Sequence, residues 1–165
     1  MDIFEGIKTR RSIRKFSSEE VSAEAIANIL EAGRWAPSGK NNQPWKFMVL
    51  AKEKKDALAE FTKYSFLVKG ANKLILIFLD KDISYHYQKD LLAIGAAIEN
   101  MLLCIHSLGL GACWMGEIRN QGSDIIKALG LGENLEFEAA LALGKPSLIS
   151  GQGRRKDLKD LIIDG

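Results

Sequence analysis

The segment from 90 to 108 constrains the fold more than any other part of the chain, because it is apolar on nearly every side of a helix. Gly95, Ala96 and Ala97 make one side of that helix smooth, while larger side chains follow the helical period. Such a helix must be buried, so we predict a long central helix whose burial is supplied in part by a second subunit. The larger side chains are Leu91, Ile94, Ile98, Met101, Leu102 and Ile105.

Four segments carry patterns typical of β-strands. Apolar residues alternate from Trp45 to Val49, as in a half-buried strand, and the run at 74–79 is continuously apolar, as in a strand buried on both faces. We expect strands beginning at Trp45, at 74–79, at 112–115 and at 137–143. Together with the central helix they predict an α+β fold, in which a mixed central β-sheet is flanked by helices.

Shorter helices are predicted around these strands. Apolar residues at 3, 4 and 7 indicate a first helix that ends near Arg10, and Ser22 can cap a second helix that stops before Pro37. The charged segment 52–63 is typical of a surface helix, and Ser123 is a candidate cap for a short helix that Gly130 ends. The segment 82–88 is predicted to be a loop or a short turn.

The composition fits one domain covering residues 1–165. Basic residues number 23 and acidic residues 21, so the net charge of +2 favours neither nucleic acid nor a membrane surface. No apolar run approaches the roughly 18 residues of a membrane span, and acidic Asp2 and Glu5 argue against a signal peptide, so we expect a cytoplasmic protein. Cys104 and Cys113 match no zinc or redox motif, and no metal site is expected.

The loop between Pro37 and Trp45 is dense in hydrogen-bonding side chains. A loop that only reverses the chain can use Gly, Pro and one Asn or Asp. Clustered carboxamides, in contrast, can donate and accept toward a flat heterocycle. An exposed polar loop is the plainer interpretation of this stretch alone. The polar residues are Ser38, Lys40, Asn41, Asn42 and Gln43.

Two basic segments suggest a small anionic ligand. The first joins Arg10, Arg11 and Arg14 with Ser12, and forked guanidinium donors and a hydroxyl suit the oxygens of a phosphate. The second, at 154–156, contains Arg154, Arg155 and Lys156. A solvated basic edge remains the alternative for the first segment, and a solvated tail is about equally favoured for the second.

Together these stretches resemble the nitroreductase family of FMN-dependent oxidoreductases. The sequence RRSIRKF at 10–16 precedes APSGKNNQPW at 36–45, and GLGACWMG at 109–116 is similar to the family's glycine-rich turn after its central helix. The resemblance implies a nitroreductase-like fold and an intertwined homodimer, with the long helix at the dimer core and FMN at the interface.

The resemblance also implies which residues contact the cofactor. Arg10, Arg11, Ser12 and Arg14 are expected around the phosphate and ribityl chain, with a second basic pair from 154–156, taken as Arg154 and Arg155. Ser38, Asn41 and Gln43 correspond to the family's flavin-contacting loop, and Asn41 is the candidate for the ring edge. A backbone donor to flavin N5 is expected in the turn after Trp114, from Met115 to Glu117, and Trp114, Met115, Gly116 and Glu117 are all expected to contact the cofactor. Many relatives carry a second glycine where Glu117 stands, so its side chain is expected to narrow or charge the pocket.

The function implied is reduction of an electron-poor acceptor, such as a nitroaromatic or quinone, by NADH or NADPH in ping-pong hydride transfer through flavin N5. The sequence contains neither a nucleophile–base pair nor paired carboxylates, which fits a reaction centred on a cofactor. It also lacks G-x-G-x-x-G, consistent with transient nicotinamide stacking. Alternatives are reductive dehalogenation or flavin destruction on the same fold, or a non-catalytic FMN carrier or redox sensor.

Overall fold

The computed structural model describes residues 2–148, 151 and 153–163. Six α-helices lie in these ranges: α1 (Ile3–Thr9), α2 (Ala23–Arg34), α3 (Lys52–Asp56), α4 (Ser65–Gly70), α5 (Tyr87–Ser107) and α6 (Gly122–Ala128). The strands are β1 (Trp45–Ala51), β2 (Lys73–Asp80), β3 (Gly111–Met115) and β4 (Leu135–Gly144). Short 3₁₀ helices cover Gly39–Asn41, Ala57–Phe61, Glu117–Gln121 and Leu158–Leu161. The predicted α+β class and all four predicted strands are confirmed.

The four strands form one sheet in the order β1-β2-β4-β3, and every neighbouring pair is antiparallel. The mixed sheet that we expected is therefore corrected. Strands β2 and β3, which α5 connects, do run in the same direction, but β4 lies between them and is antiparallel to both. Parallel pairing in the described residues is limited to one isolated bridge, between Ser12 and Ala112.

Helices cover both faces of the sheet. Helices α2 and α5 pack over the side chains of Ile75, Ile77 and Leu141, whereas α4 and α6 cover Leu76 and Phe78 on the opposite face. Alternate residues of β2 thus enter two different cores, which explains why its sequence is continuously apolar. The result is a helix–sheet–helix arrangement in which β3 is an edge strand.

The long central helix is confirmed as α5, although it begins three residues before the predicted Asp90. Ala97 and Met101 are completely buried, but Leu92 on another side is 76% exposed. By length and composition alone this helix could cross a membrane. Its buried side packs into the core over the sheet, which is the position of an interior helix in a folded domain.

Of the predicted helix caps and short helices, some are confirmed and others are corrected. Ser22 caps α2 as expected, accepting a hydrogen bond from the amide of Ala25 at 3.1 Å. Ser123, however, lies inside α6, because that helix begins at Gly122 and its N-cap is Gln121. The expected surface helix at 52–63 is split into α3 and a 3₁₀ helix. Helix α4 was missed.

Apolar side chains remain exposed at both ends of the chain. Ile3, Phe4 and Ile7 project from α1, and Leu161 and Ile163 are exposed near the C-terminus. Together with Leu92 of α5, they leave unburied apolar surface that a second copy could cover.

Candidate functional site

The polar loop between α2 and β1 has an unusual backbone. Lys40, Asn41 and Gln43 all have positive φ angles, of 55°, 53° and 50°, a left-handed conformation that non-glycine residues adopt at a cost. Ser38 Oγ accepts a hydrogen bond from the amide of Gln43 at 3.0 Å and closes the loop. Such strain persists where the surroundings over-determine it, and it is concentrated at functional sites.

The surroundings that hold this loop centre on Asp90, in the first turn of α5. Its carboxylate is completely buried and accepts a hydrogen bond from Asn42 Nδ2 at 2.9 Å, and a second from Ser84 Oγ at 2.7 Å. The amides of Tyr85 and His86 also donate to it, at 3.0 and 3.2 Å. Burial by itself would raise the pKa of Asp90, but these hydrogen bonds outweigh burial and lower the pKa, so the carboxylate is charged.

A second feature is a cavity of about 300 Å³ beside the turn that follows β3. Arg14 lines it together with four residues predicted to contact the cofactor: Trp114 and Met115 at the end of β3, and Gly116 and Glu117 directly after it. Ile13, immediately before Arg14, is buried and bonded to β3 through its amide, which donates to Ala112 O at 2.8 Å. Arg14 of the first basic segment and the turn after β3 therefore line the same cavity.

The side chain of Glu117 is tethered in this cavity. Thr62 Oγ1 donates to Glu117 Oε2 at 2.8 Å and also accepts from the amide of Tyr64 at 3.1 Å. Tyr64 and Leu67 complete the cavity wall. Sequence reasoning missed Thr62, Tyr64 and Leu67, because nothing in their local pattern signals contact with a turn some 50 residues later.

Arg119, two residues after Glu117, is held by several hydrogen bonds on the side of the turn away from this cavity. The guanidinium donates to Glu138 at 2.6 and 3.2 Å, to Glu136 at 2.9 Å and to the hydroxyl of Tyr87 at 2.8 Å. A register shift between β2 and β4 leaves Glu138 opposite no residue of β2. The hydrogen bonds to Glu138 raise the pKa of Arg119, and burial raises the pKa of Glu138.

The remaining basic residues converge from the two ends of the chain. Gly153 lies directly against the guanidinium of Arg11, so closely that a Cβ at this position would be 2.7 Å from Arg11 Cζ. Arg10 and Arg11 line a separate cavity of about 170 Å³ beside Gly111. Ser12, which pairs with Ala112, lies between this cavity and Arg14. The basic segment at 154–156 therefore begins beside the N-terminal one.

The residues predicted to contact the cofactor do not all line one cavity in this chain. The cavity lined by Arg14 and the turn shares no residue with the cavity that Ser38 lines beside α5. Asn41 and Gln43 are exposed, and Gln43 Nε2 donates to Asn41 O at 3.3 Å. Within one chain the predicted residues thus form two groups. One contains the basic segments and the turn, which the contacts of Ser12 and Ile13 with β3 connect, although Arg10 and Arg11 line a cavity of their own. The other is the polar loop.

The profile of the Nitroreductase family matches residues 7–76 and 62–145, which include the N-terminal basic segment, the polar loop and the turn. The chain belongs to the nitroreductase family. A nitroreductase from Desulfovibrio desulfuricans, provisionally named and solved in complex with FMN, is 45% identical, with a TM-score of 0.95 over 100% of this chain and 97% of that one.

Two curated relatives agree with this membership. A provisionally named NADH dehydrogenase/NAD(P)H nitroreductase of Methanothermobacter thermautotrophicus is 34% identical over 89% of this chain and 78% of its own length. The NADPH-flavin oxidoreductase of Vibrio harveyi is 32% identical over 86% of this chain and 65% of its own length. The family predicted from three motifs is confirmed.

The side chains of this nitroreductase fit FMN by their chemistry. Arg10 Nε is buried without a hydrogen-bond partner in the described residues, although it lies 3.4 Å from a carboxylate oxygen of Glu99. Asn42 Oδ1 is likewise buried without a partner. A phosphate suits the basic group around Arg10, Arg11 and Arg14, and a heterocycle edge suits the amides of the polar loop.

Proposed function

We propose that this chain is an FMN-dependent oxidoreductase that uses NADH or NADPH to reduce electron-poor small molecules, such as nitroaromatics or quinones. The observation that carries the proposal is the cavity in which Arg14 meets the turn from Trp114 to Glu117. This cavity places a cation suited to phosphate beside the backbone at the start of a 3₁₀ helix. The chain is also 45% identical to a protein solved with FMN.

The basic residues would hold the phosphate. Ser12, between Arg10 and Arg14 in the chain, pairs with Ala112 of β3, and the C-terminal segment with Arg154 and Arg155 starts beside Arg11. Charge-assisted hydrogen bonds from guanidinium groups are the strongest that such a ligand can receive. Ser38, Asn41 and Gln43 would supply donors and acceptors to the ring edge.

The backbone of the turn would stabilise negative charge. Glu117 is the first residue of a 3₁₀ helix, where the amide N–H has no partner within the helix. When bound, FMN supplies the redox chemistry, taking a hydride from the nicotinamide at N5 and passing electrons to the acceptor. A fixed amide at that atom needs no reorganisation as charge develops. We assign this donor to Glu117 or to a neighbour within one residue.

A homodimer would bring the two groups of site residues together. The loop group lies beside α5, whose Leu92 is exposed, and the basic group lies near exposed apolar residues of α1. Burying these surfaces against a second copy could join the loop of one protomer to the basic group of its partner. We therefore propose two FMN sites at the interface, with each protomer forming one domain over residues 1–165.

Three measurements on the purified protein test the proposal. We expect a flavin absorption spectrum, elution as a dimer, and steady-state NAD(P)H oxidation in the presence of a nitroaromatic or quinone. A colourless monomer that takes up no added FMN would contradict the cofactor and the dimer together. Bound FMN without NAD(P)H oxidation would instead support the non-catalytic carrier.

A further inference from the structure

The polar loop owes its shape to contacts outside itself. Three of its four residues from Lys40 to Gln43 are left-handed, and the exception, Asn42, is the one whose side chain is tied to α5. Asn42 Nδ2 donates to Asp90 at 2.9 Å and to Ile83 O at 3.2 Å. Both bonds use the side-chain NH₂ group of Asn42, so they fix the backbone on either side of this residue. Asn41 and Gln43 face solvent.

Asp90 reaches the loop by a second route, through Tyr85. The carboxylate accepts from the amide of Tyr85, and the ring of Tyr85 packs against Gly39, where a Cβ would lie 1.9 Å from the phenol oxygen. The ammonium of Lys40 lies 5.1 Å from the centroid of the same ring. One buried carboxylate thus holds the middle of the loop through Asn42 and its beginning through Tyr85.

From these contacts we propose that Asp90 is a positioning residue for flavin binding. It holds the loop in its left-handed conformation, so that Ser38, Asn41 and Gln43 are preorganised for the ring edge, although Asp90 itself does not touch the cofactor. The inference rests on the proposed FMN site and adds a residue to it that no motif contains. For metal ligands, removing a hydrogen bond that orients the ligand costs about 10–100-fold in affinity, and we expect a loss of the same order here.

The test compares Asp90→Asn with wild-type protein in binding both FMN and riboflavin. Because the loop is assigned to the ring and not to the phosphate, we expect both affinities to fall by the same factor, roughly tenfold or more. In the flavin-free protein, hydrogen exchange should accelerate at amides 39–43 without a change in β2 or β4. Asp80→Asn is the matched control, since Asp80 is also buried but its side chain bonds Lys46 and the amide of Asp82.

A second variant covers the case in which Asp90→Asn does not fold. Asn42→Ala removes the tie to the loop and leaves the other three donors on Asp90 in place. It should reproduce the parallel loss of FMN and riboflavin affinity. Where Asp90→Asn does fold, the losses in the double variant should be less than additive.

The outcomes are distinct from those of the proposed function. A wild-type protein that binds no flavin would overturn the FMN site itself. If wild type binds FMN but either folded variant keeps wild-type affinity for riboflavin, the positioning role of Asp90 is wrong. A loss of FMN affinity alone would also contradict it, because that pattern belongs to the phosphate.

Discussion

The polar loop and the turn after β3 both carry residues assigned to the flavin, but they are built in opposite ways. The loop has three left-handed residues and is held by a buried carboxylate on a helix that follows 48 residues later. The turn has an ordinary backbone, with Gly116 at φ −85° and ψ −28°, and simply continues an edge strand into a 3₁₀ helix. The loop is therefore shaped from outside, whereas the turn takes its shape from its own sequence.

This difference predicts different responses to substitution. Removing the hydrogen bonds that anchor the loop should lower the affinity for flavin, because binding must then include the free-energy cost of ordering the loop. The turn should stay in place when a side-chain contact is lost, so substitutions there should act on the rate of reduction more than on affinity. The following predictions separate the two regions in that way, from the largest expected effect to the smallest.

The largest effect is expected for Glu117→Pro, which removes the amide donor of the turn. Proline is tolerated at the first position of a helix, which is where Glu117 lies. The preceding Gly116 is in the αR region, which a following proline disfavours, but it lacks the Cβ that causes part of the clash, so the fold should survive. Losing a donor to developing charge typically slows a reaction about 10²–10³-fold. Stopped-flow reduction of bound FMN by NAD(P)H measures this, after flavin occupancy and dimer content have been checked.

Glu117→Ala is the matched control for the proline variant. Both variants lose the hydrogen bond from Thr62, so the difference between their rates isolates the amide. The alanine variant should keep most of its reduction rate and change mainly in acceptor preference. If the proline variant is folded and loaded with FMN, and its FMN is reduced as fast as in the alanine variant, then the assignment of Glu117 to N5 is wrong.

An intermediate effect is expected for Arg14→Ala, which removes the cation beside the turn. The loss of a charge-assisted phosphate bond should weaken FMN binding by about 1.5–3 kcal/mol. Riboflavin, which has no phosphate, should bind wild type poorly and be almost indifferent to the substitution. Added salt should also weaken FMN binding to wild type, because the ligand is anionic.

Arg34→Ala is the control for this change of charge, since Arg34 is bonded to Glu31 on the surface of α2 and does not line the Arg14 cavity. Equal losses of FMN and riboflavin affinity in Arg14→Ala would contradict the phosphate role. The ratio of the two affinities thus distinguishes Arg14 from Asp90, for which equal losses are the expected result.

The sequence predicted the fold well where patterns are local or periodic. The apolar period of α5, the unbroken run of β2 and the cap at Ser22 each lead to the observed element. The antiparallel pairing of the strands was not predictable in this way. Strand β4 lies between β2 and β3, which both precede it in the chain, and no local signal encodes that order.

Motifs in the sequence pointed to Arg14 and to the turn, and the structure places both at one cavity. The residues that support the site were not predicted. Thr62, which bonds the side chain of Glu117, and Asp90, which holds the loop through Asn42, are single polar residues in segments without a motif. Their roles depend on contacts across 55 and 48 residues, which only folding brings into range.

The smallest effect is expected for Thr62→Val, which keeps the shape of the side chain and removes the hydroxyl that bonds Glu117. Losing this bond should lower the free energy of unfolding by about 1–3 kcal/mol, because it leaves a partly buried carboxylate oxygen without that donor. FMN affinity should change by less than about threefold, since the backbone of the turn does not depend on the Glu117 side chain. Thr9→Val, which removes an exposed hydroxyl bonded to His106, controls for the same chemical change elsewhere. If Thr62→Val lowers FMN affinity as strongly as Asp90→Asn does, then the turn is also shaped from outside, and the contrast between the two regions fails.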